Sequence, residues 1–235
     1  DLRLDDNPAL HAAAERGRVL PVFIDEPAAA WAAGAASRYW LHQSLAAHAQ
    51  ALVERGASLL IRRGEPLAVL TELVRHCGAD AVYWNRRYEP AAIAGDTRVK
   101  ECLSQLCDVR SFRAHVLFEP ARIATASGTP YRVFTPFHKA CLADGEPAAP
   151  LPAPERLLAS SSPPGGLTLD ALGLEPSIDW AAGIRATWRF GERAAHERLE
   201  AFIDGALVDY PEHRDFPAVD GVSGLSPHLC FGEIS

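Results

Sequence analysis

Methionine is absent from all 235 residues, and the first residue is an aspartate. Both ends also read as interrupted motifs, so the sequence is expected to be a piece of a longer protein. No apolar run approaches the ~20 residues of a membrane-spanning helix, and no basic-then-apolar leader opens the sequence; a cytoplasmic protein with no membrane partner is expected. The five cysteines (Cys77, Cys102, Cys107, Cys141, Cys230) contain no CxxC pair and no zinc-ligand spacing. Scattered thiols in odd number read as reduced and buried, not as a disulfide framework. There is no GxGxxG and no GxxxxGKS or GxxxxGKT, which argues against a standard dinucleotide or P-loop site. The nine histidines do not cluster at ligand spacing, and no Ser/His/Asp set can be assembled. Positive charge is also short. A net charge of −7 argues against this stretch gripping a nucleic-acid backbone by itself, so a DNA-binding parent would carry its basic surface elsewhere.

What remains is ordinary for a soluble globular protein: 48% apolar and 23% charged, with length for one large domain or one and a half smaller ones. Residues 1 to about 143 alternate short apolar runs with amphipathic stretches. Val19 to Asp25, Ser58 to Arg62, Ala81 to Asn85 and Arg110 to Phe118 read as strands. Ser37 to Glu54, Pro66 to His76 and Ala91 to Leu106 read as the intervening helices. Strands apolar on both faces, alternating with helices, predict a doubly wound α/β domain with a parallel sheet. Asp6 and Asn7 before Pro8 predict a further short helix over Ala9 to Glu15. A helix ahead of the first visible strand implies a preceding strand, expected to be missing.

Residues 144–176 crowd eight prolines and glycines among small residues between Pro147 and Gly166 and read as a linker. Such a segment is either disordered or pinned across the domain surface, and composition leaves both open. From about Trp180 only helical signals appear. Gly191 to Val208 places Ala195, Leu199, Phe202, Ile203 and Leu207 on one side. Ser226 reads as an N-cap and Pro227 as the first residue of a last helix that the sequence leaves unfinished. Residues 177–235 are therefore the start of an all-helical domain.

Two places could carry chemistry. In doubly wound sheets ligands bind beyond the carboxyl ends of the strands. Asp25, Glu26 and Pro27 follow one strand; Asn85, Arg86, Arg87, Tyr88 and Glu89 follow another. The second set offers donors to an anionic or heteroaromatic ligand. The plainer reading, favoured by spacing, is that Arg86 and Arg87 pair with Asp5, Asp6 or Glu89 and close the domain. The other place is Ser223 and Ser226 at the start of the last helix, which suit a phosphate, although capping by Ser226 alone needs no ligand. The segment Arg132 to His138 predicts a helix capped by Thr135 with Pro136 first, Phe134 and Phe137 packing, and His138 and Lys139 solvated. Trp31, Trp40, Trp84, Trp180 and Trp188 read as packing residues.

Three stretches in order, DLRLDDNPAL at 1–10, YRVFTPF at 131–137 and YPEHRDFPAVDG at 210–221 running into Ser223 to Ser235, together resemble the photolyase/cryptochrome family. The resemblance implies an antenna-type α/β domain over 1–143, an interdomain linker over 144–176 and the beginning of a helical FAD-binding domain over 177–235. It implies a parent that uses light and reduced FAD to split cyclobutane pyrimidine dimers in ultraviolet-damaged DNA, or a cryptochrome photoreceptor with the same fold and flavin. By position, Tyr210, Val222, Ser223, Gly224, Leu225 and Ser226 match the family's first FAD contacts, and Arg214 matches a residue near the DNA. With that overlay the phosphate reading of Ser223 and Ser226 overtakes capping. Catalytic residues are expected outside this sequence, the fragment alone is expected to be inactive, and the parent is expected to be a monomer.

Two departures bear on the cofactors. The family usually has Thr-Ser-Arg-Leu-Ser where this sequence has Val222 to Ser226. Val222 removes a hydroxyl worth about 1.5–3 kcal/mol when bonded to a charged group, and Gly224 removes a guanidinium. Folate-binding members carry Asn-Glu where Ala91 and Ala92 stand, which argues against methenyltetrahydrofolate and leaves a deazaflavin, a flavin or no antenna. A third reading, a stand-alone nucleotide-binding α/β domain, leaves the helical segment unexplained.

Overall fold

The first helix, α1 (Pro8–Arg16), begins where Asn7 accepts the amide of Leu10 at 3.1 Å and Pro8 fills the first turn. The computed structural model describes residues 1–26, 32–161 and 163–235. Pro27 and Trp31 lie outside the described residues.

The apolar run after α1 is two strands, not one: β1 (Arg18–Val19) and β2 (Val22–Asp25). The break falls at Pro21, which has no N–H to give a ladder, although its carbonyl still accepts Leu60 N at 2.9 Å. Next comes the 20-residue α2 (Ala35–Glu54), which buries Tyr39, Trp40, Leu45 and Leu52. The chain then alternates through β3 (Leu60–Arg63), α3 (Pro66–Cys77), β4 (Ala81–Asn85), α4 (Pro90–Leu103) and β5 (Asp108–Phe112). Helix α3 starts on the Glu65 carboxylate, which accepts Ala68 N at 2.9 Å, and stops at left-handed Gly78. β2 pairs with β3 and β4 with β5, both parallel, as helical crossovers require. Fold class is thus α/β with parallel strands followed by helices. Leu52, Leu60, Leu73 and Leu103 anchor the separate core clusters between strands and helices.

Helix α5 (Phe134–Asp144) starts one residue before the expected Thr135 cap, because Pro136 fits anywhere in a first turn and does not fix the boundary. Phe134 is 73% exposed and rests on His138, so the expected packing of this phenylalanine is local only.

The proline-rich stretch is pinned across the α/β core. Leu151 N donates to the Asp6 carboxylate, Leu157 N to Arg55 O at 2.7 Å, and Leu167 N to Ile61 O at 2.9 Å. Within it, β6 (Leu158–Ala159) pairs parallel with β1. Leu157 and Leu172, the latter in the 3₁₀ turn Asp170–Leu172, are buried. Four helices close the chain: α6 (Ala182–Thr187), α7 (Glu192–Ala201), α8 (Tyr210–His213) and α9 (Ser226–Phe231). The predicted helix over 191–208 is α7 followed by a π turn, Phe202–Ala206, closed by Leu207 N to Phe202 O. That turn shifts the apolar side: Ala195 is buried, whereas Ile203 and Leu207 face outward. No helix of the described residues is long and apolar enough to cross a membrane.

Candidate functional site

The strand-end cluster is saturated from within. The Asn85 amide donates to Asn7 Oδ1 at 2.8 Å and to Asp1 at 2.7 Å, and its oxygen accepts Ala9 N, so it fastens the start of α1 to the end of β4. Arg86 pairs with Glu119 at 2.7 Å; Arg87 pairs with Asp96 at 2.6 Å and Glu26 at 2.7 Å. Both arginines do pair with carboxylates, but none of those carboxylates is Asp5, Asp6 or Glu89. The Asp96 hydrogen bond, with help from Glu26, holds the Arg87 guanidinium above its ordinary range. Burial, with the Glu119 charge beside it, raises the Tyr88 phenol. Asp25 is likewise matched by Arg63 at 2.7 Å.

The helical segment is built around a different device. α9 ends at left-handed Gly232, with Glu233 N returning to His228 O at 2.9 Å. This turn drives Glu233 inward to complete burial. A buried carboxylate persists only when its oxygens are bonded. Oε1 accepts the Ser44 hydroxyl, Trp40 Nε1 at 3.3 Å and Gly191 N at 2.9 Å, while Oε2 lies 2.5 Å from His228 Nδ1. Trp40 meets Trp188, Phe190 and His228 edge to face, with centroids 5.3, 4.8 and 5.4 Å away. The first ten residues reach the same place. Leu2 N donates to Gly232 O at 3.0 Å, and buried Arg3 donates to the carbonyls of Gly232, Asp6 and Ala114. Glu192, at the head of α7, accepts the amides of Leu4 and Asp5. The opening motif is the seam between the two halves.

The remaining candidates from the sequence lie in α8 and in the loop that leads into α9. Tyr210 heads α8, edge-on to Phe202, and the exposed Arg214 guanidinium lies 5.4 Å from its ring and 3.6 Å from Asp215. Gly221 touches α8 so closely that a Cβ there would sit 2.6 Å from His213 Cβ, which brings Tyr210's helix against the loop 222–226. Val222 is exposed, and Ser223 Oγ accepts Leu225 N at 3.4 Å. Ser226 is the first residue of α9, not its cap: Leu225 precedes the helix and no side chain caps it. The Ser226 hydroxyl has no hydrogen-bond partner among the described residues and stays available. Behind the loop, Arg198 of α7 donates from Nε to Ser223 O at 2.7 Å and lies 5.0 Å over the Trp188 ring.

Sequence reasoning missed the Glu233 hub and Arg198. Trp40 and Ser44 lie four apart on one helix face, and His228 and Glu233 straddle a glycine stop; those spacings were the available signals. Arg198 had none, since only tertiary packing brings α7 to residue 223.

The family model described as DNA photolyase matches residues 1–155. The deoxyribodipyrimidine photo-lyase of Agrobacterium fabrum is 45% identical over the whole of this chain and half of its own length. Arabidopsis thaliana cryptochrome-2 is 36% identical over the whole chain and 40% of its own. Among solved structures, a bacterial class III photolyase from Agrobacterium tumefaciens superposes with a TM-score of 0.95 at 45% identity, covering all of this chain and 49% of the other. The chain spans about half the length of the curated relatives it matches.

Proposed function

Because the chain belongs to the DNA photolyase family, we propose that the protein carrying it is a deoxyribodipyrimidine photo-lyase. It acts as a cytoplasmic monomer, holds FAD and splits cyclobutane pyrimidine dimers in ultraviolet-damaged DNA. The observation that carries this reading is the 45% identity with the Agrobacterium fabrum photo-lyase over the whole of this chain. Residues 1–143 are the antenna-type domain, 144–176 the linker and 177–235 the start of the flavin-binding helical domain. The activity belongs to the longer protein; the 235 residues alone are expected to be inert.

When bound, reduced FAD supplies a photo-excited electron to the dimer and recovers it after the ring opens. The chain's own residues bind and orient. Tyr210, Val222, Ser223, Gly224, Leu225 and Ser226 are the proposed flavin contacts. The donor set fits an anionic dinucleotide: the loop that carries Ser223 and Ser226, with the Arg198 guanidinium on the Ser223 carbonyl and no carboxylate of the described residues to neutralise it. Val222 presents an apolar surface where a hydroxyl would bond, which lowers affinity without abolishing it. Arg214 is the proposed DNA contact; its exposed pairing with Asp215 yields to a phosphate at little cost. A damaged base is poorly stacked, so extruding it toward the flavin costs less than extruding an intact one. At the antenna end, the saturated arginines and the side chains of Ala91 and Ala92 support no folate; a second chromophore there would be a deazaflavin or a flavin.

Identity with cryptochrome-2 over the whole chain favours one alternative, a blue-light receptor with the same flavin and no repair. The protein expressed from its full reading frame separates the two. Light-dependent loss of dimers from irradiated oligothymidine, with a flavin spectrum, is expected. Bound flavin without repair selects the receptor, and neither flavin nor repair overturns both readings.

A further inference from the structure

The room at residue 224 is already taken. Gly224 has φ +63°, and a Cβ built there would lie 2.5 Å from Arg198 Cζ and closer still to two of its guanidinium nitrogens. A side chain at 224 and the present seat of Arg198 exclude each other. The sequence reads Gly224 as the loss of a guanidinium from the loop. In the folded protein a guanidinium is there, delivered from α7.

Two contacts fix it, one of them braced from behind. Nε holds the Ser223 carbonyl at 2.7 Å, the plane lies over Trp188, and Trp188 is braced by Trp40 and by His228, whose ring centroid is 6.2 Å away. On the same helix, Arg193 is paired with Glu197 at 3.2 Å. Arg198 has no carboxylate within ion-pair reach among the described residues, and its terminal nitrogens have no hydrogen-bond acceptor there. A partly buried cation with no counter-charge among the described residues is open to an anion. The unmatched charge sits against the loop that carries Ser223 and Ser226.

We propose that Arg198 is a positioning residue of the flavin site: it takes the space vacated at Gly224, sets the backbone of Ser223 and supplies the positive charge that the loop itself lacks toward the ligand's pyrophosphate. The ligand part rests on the flavin reading above; the interlock between residues 198 and 224 does not.

The test compares four proteins expressed from the full reading frame: unmodified, Arg198→Ala, Gly224→Arg, and the double variant. FAD affinity is read from quenching of flavin fluorescence, and its ionic-strength dependence is measured alongside. Arg198→Ala is expected to weaken FAD about tenfold and flatten the salt dependence, the loss of one charge-assisted contact. Gly224→Arg alone weakens binding by evicting Arg198. The double variant regains most of the affinity, because the new guanidinium enters the emptied space from the loop side. A merely structural staple would lower the melting temperature but leave the salt dependence unchanged. Additive losses in the double variant, or an Arg198→Ala protein that holds FAD as tightly as the unmodified one, would overturn the proposal. If the unmodified protein binds no FAD, the flavin reading and the ligand part fall together. Thermal unfolding of the same four proteins then judges the interlock alone: non-additive melting shifts keep it, additive shifts remove it.

Discussion

Two arginine sites in this molecule are opposite in structure. At the strand ends, Arg86 and Arg87 are met by Glu119, Glu26 and Asp96, and Asn85 spends its amide on Asn7 and Asp1. Behind the 222–226 loop, Arg198 has a carbonyl and an indole but, among the described residues, no carboxylate. A matched cluster holds a shape and offers little to a ligand. A cation without a counter-charge keeps its charge for a ligand. Counting donors by sequence position ranks the first site above the second; counting their counter-charges reverses the order.

The strongest way to break the comparison is to remove what supports the second site from behind. Glu233→Ala strips the acceptor from Ser44, Trp40, Gly191 and His228 at once and leaves buried donors unpaired. A loss of about 3–5 kcal/mol is expected in urea unfolding of the chain, with Trp188 and hence Arg198 loosened. The strand ends, which share no bond with Glu233, should keep their amide-exchange protection. The counterpart on the other side is Asn7→Ala. It removes the cap of α1 and the acceptor of the Asn85 amide, at an expected cost of about 1–3 kcal/mol. Here exchange should rise over α1 and the end of β4, while the 222–226 loop stays as protected as before.

The α/β half was legible because its signals are local. Asn7-Pro8 starts α1, Glu65-Pro66 starts α3, and Ala81 to Asn85 is both the predicted and the observed strand. The errors there were also local, such as the two-strand break at Pro21 and the start of α5. The helical half was legible by resemblance more than by periodicity, since its short helices carry little pattern of their own. Its organising residue, Glu233, lies beyond the last helix, where no amphipathic window reaches. The role of Gly224 depended on which neighbour fills the space next to it, and that neighbour is 26 residues upstream in the chain. Resemblance located the loop; only packing supplied its cation.

Helix α2 holds Glu233 through Trp40 and Ser44, and pH tests how tightly that helix is packed. His48 on this helix is held down to about pKa 4 by burial, from an ordinary 6.5, and its Nδ1 has no partner among the described residues. The folded state therefore binds this proton less readily than the unfolded chain does. The stability it contributes is fully present above about pH 6.5 and is lost as pH falls from there toward 4. His48→Gln should flatten that part of the stability curve, measured by urea unfolding at half-unit pH steps. An unchanged curve would mean that the helix opens locally and lets the ring ionise.

The smallest expected effect is the most direct check on the difference between the two arginine sites. Arg87 is exposed and its carboxylates are close, yet an exposed pair gains little over water and is screened by salt. Arg87→Ala should cost under about 1 kcal/mol in urea unfolding and leave FAD affinity of the full-length protein unchanged. It also frees Glu26 and Asp96, so the strand ends become more acidic and still less hospitable to an anion. A marked fall in flavin affinity from this substitution would show that the strand-end cluster reaches the flavin after all. The contrast between a closed site and an open one would then have to be redrawn as a single connected network.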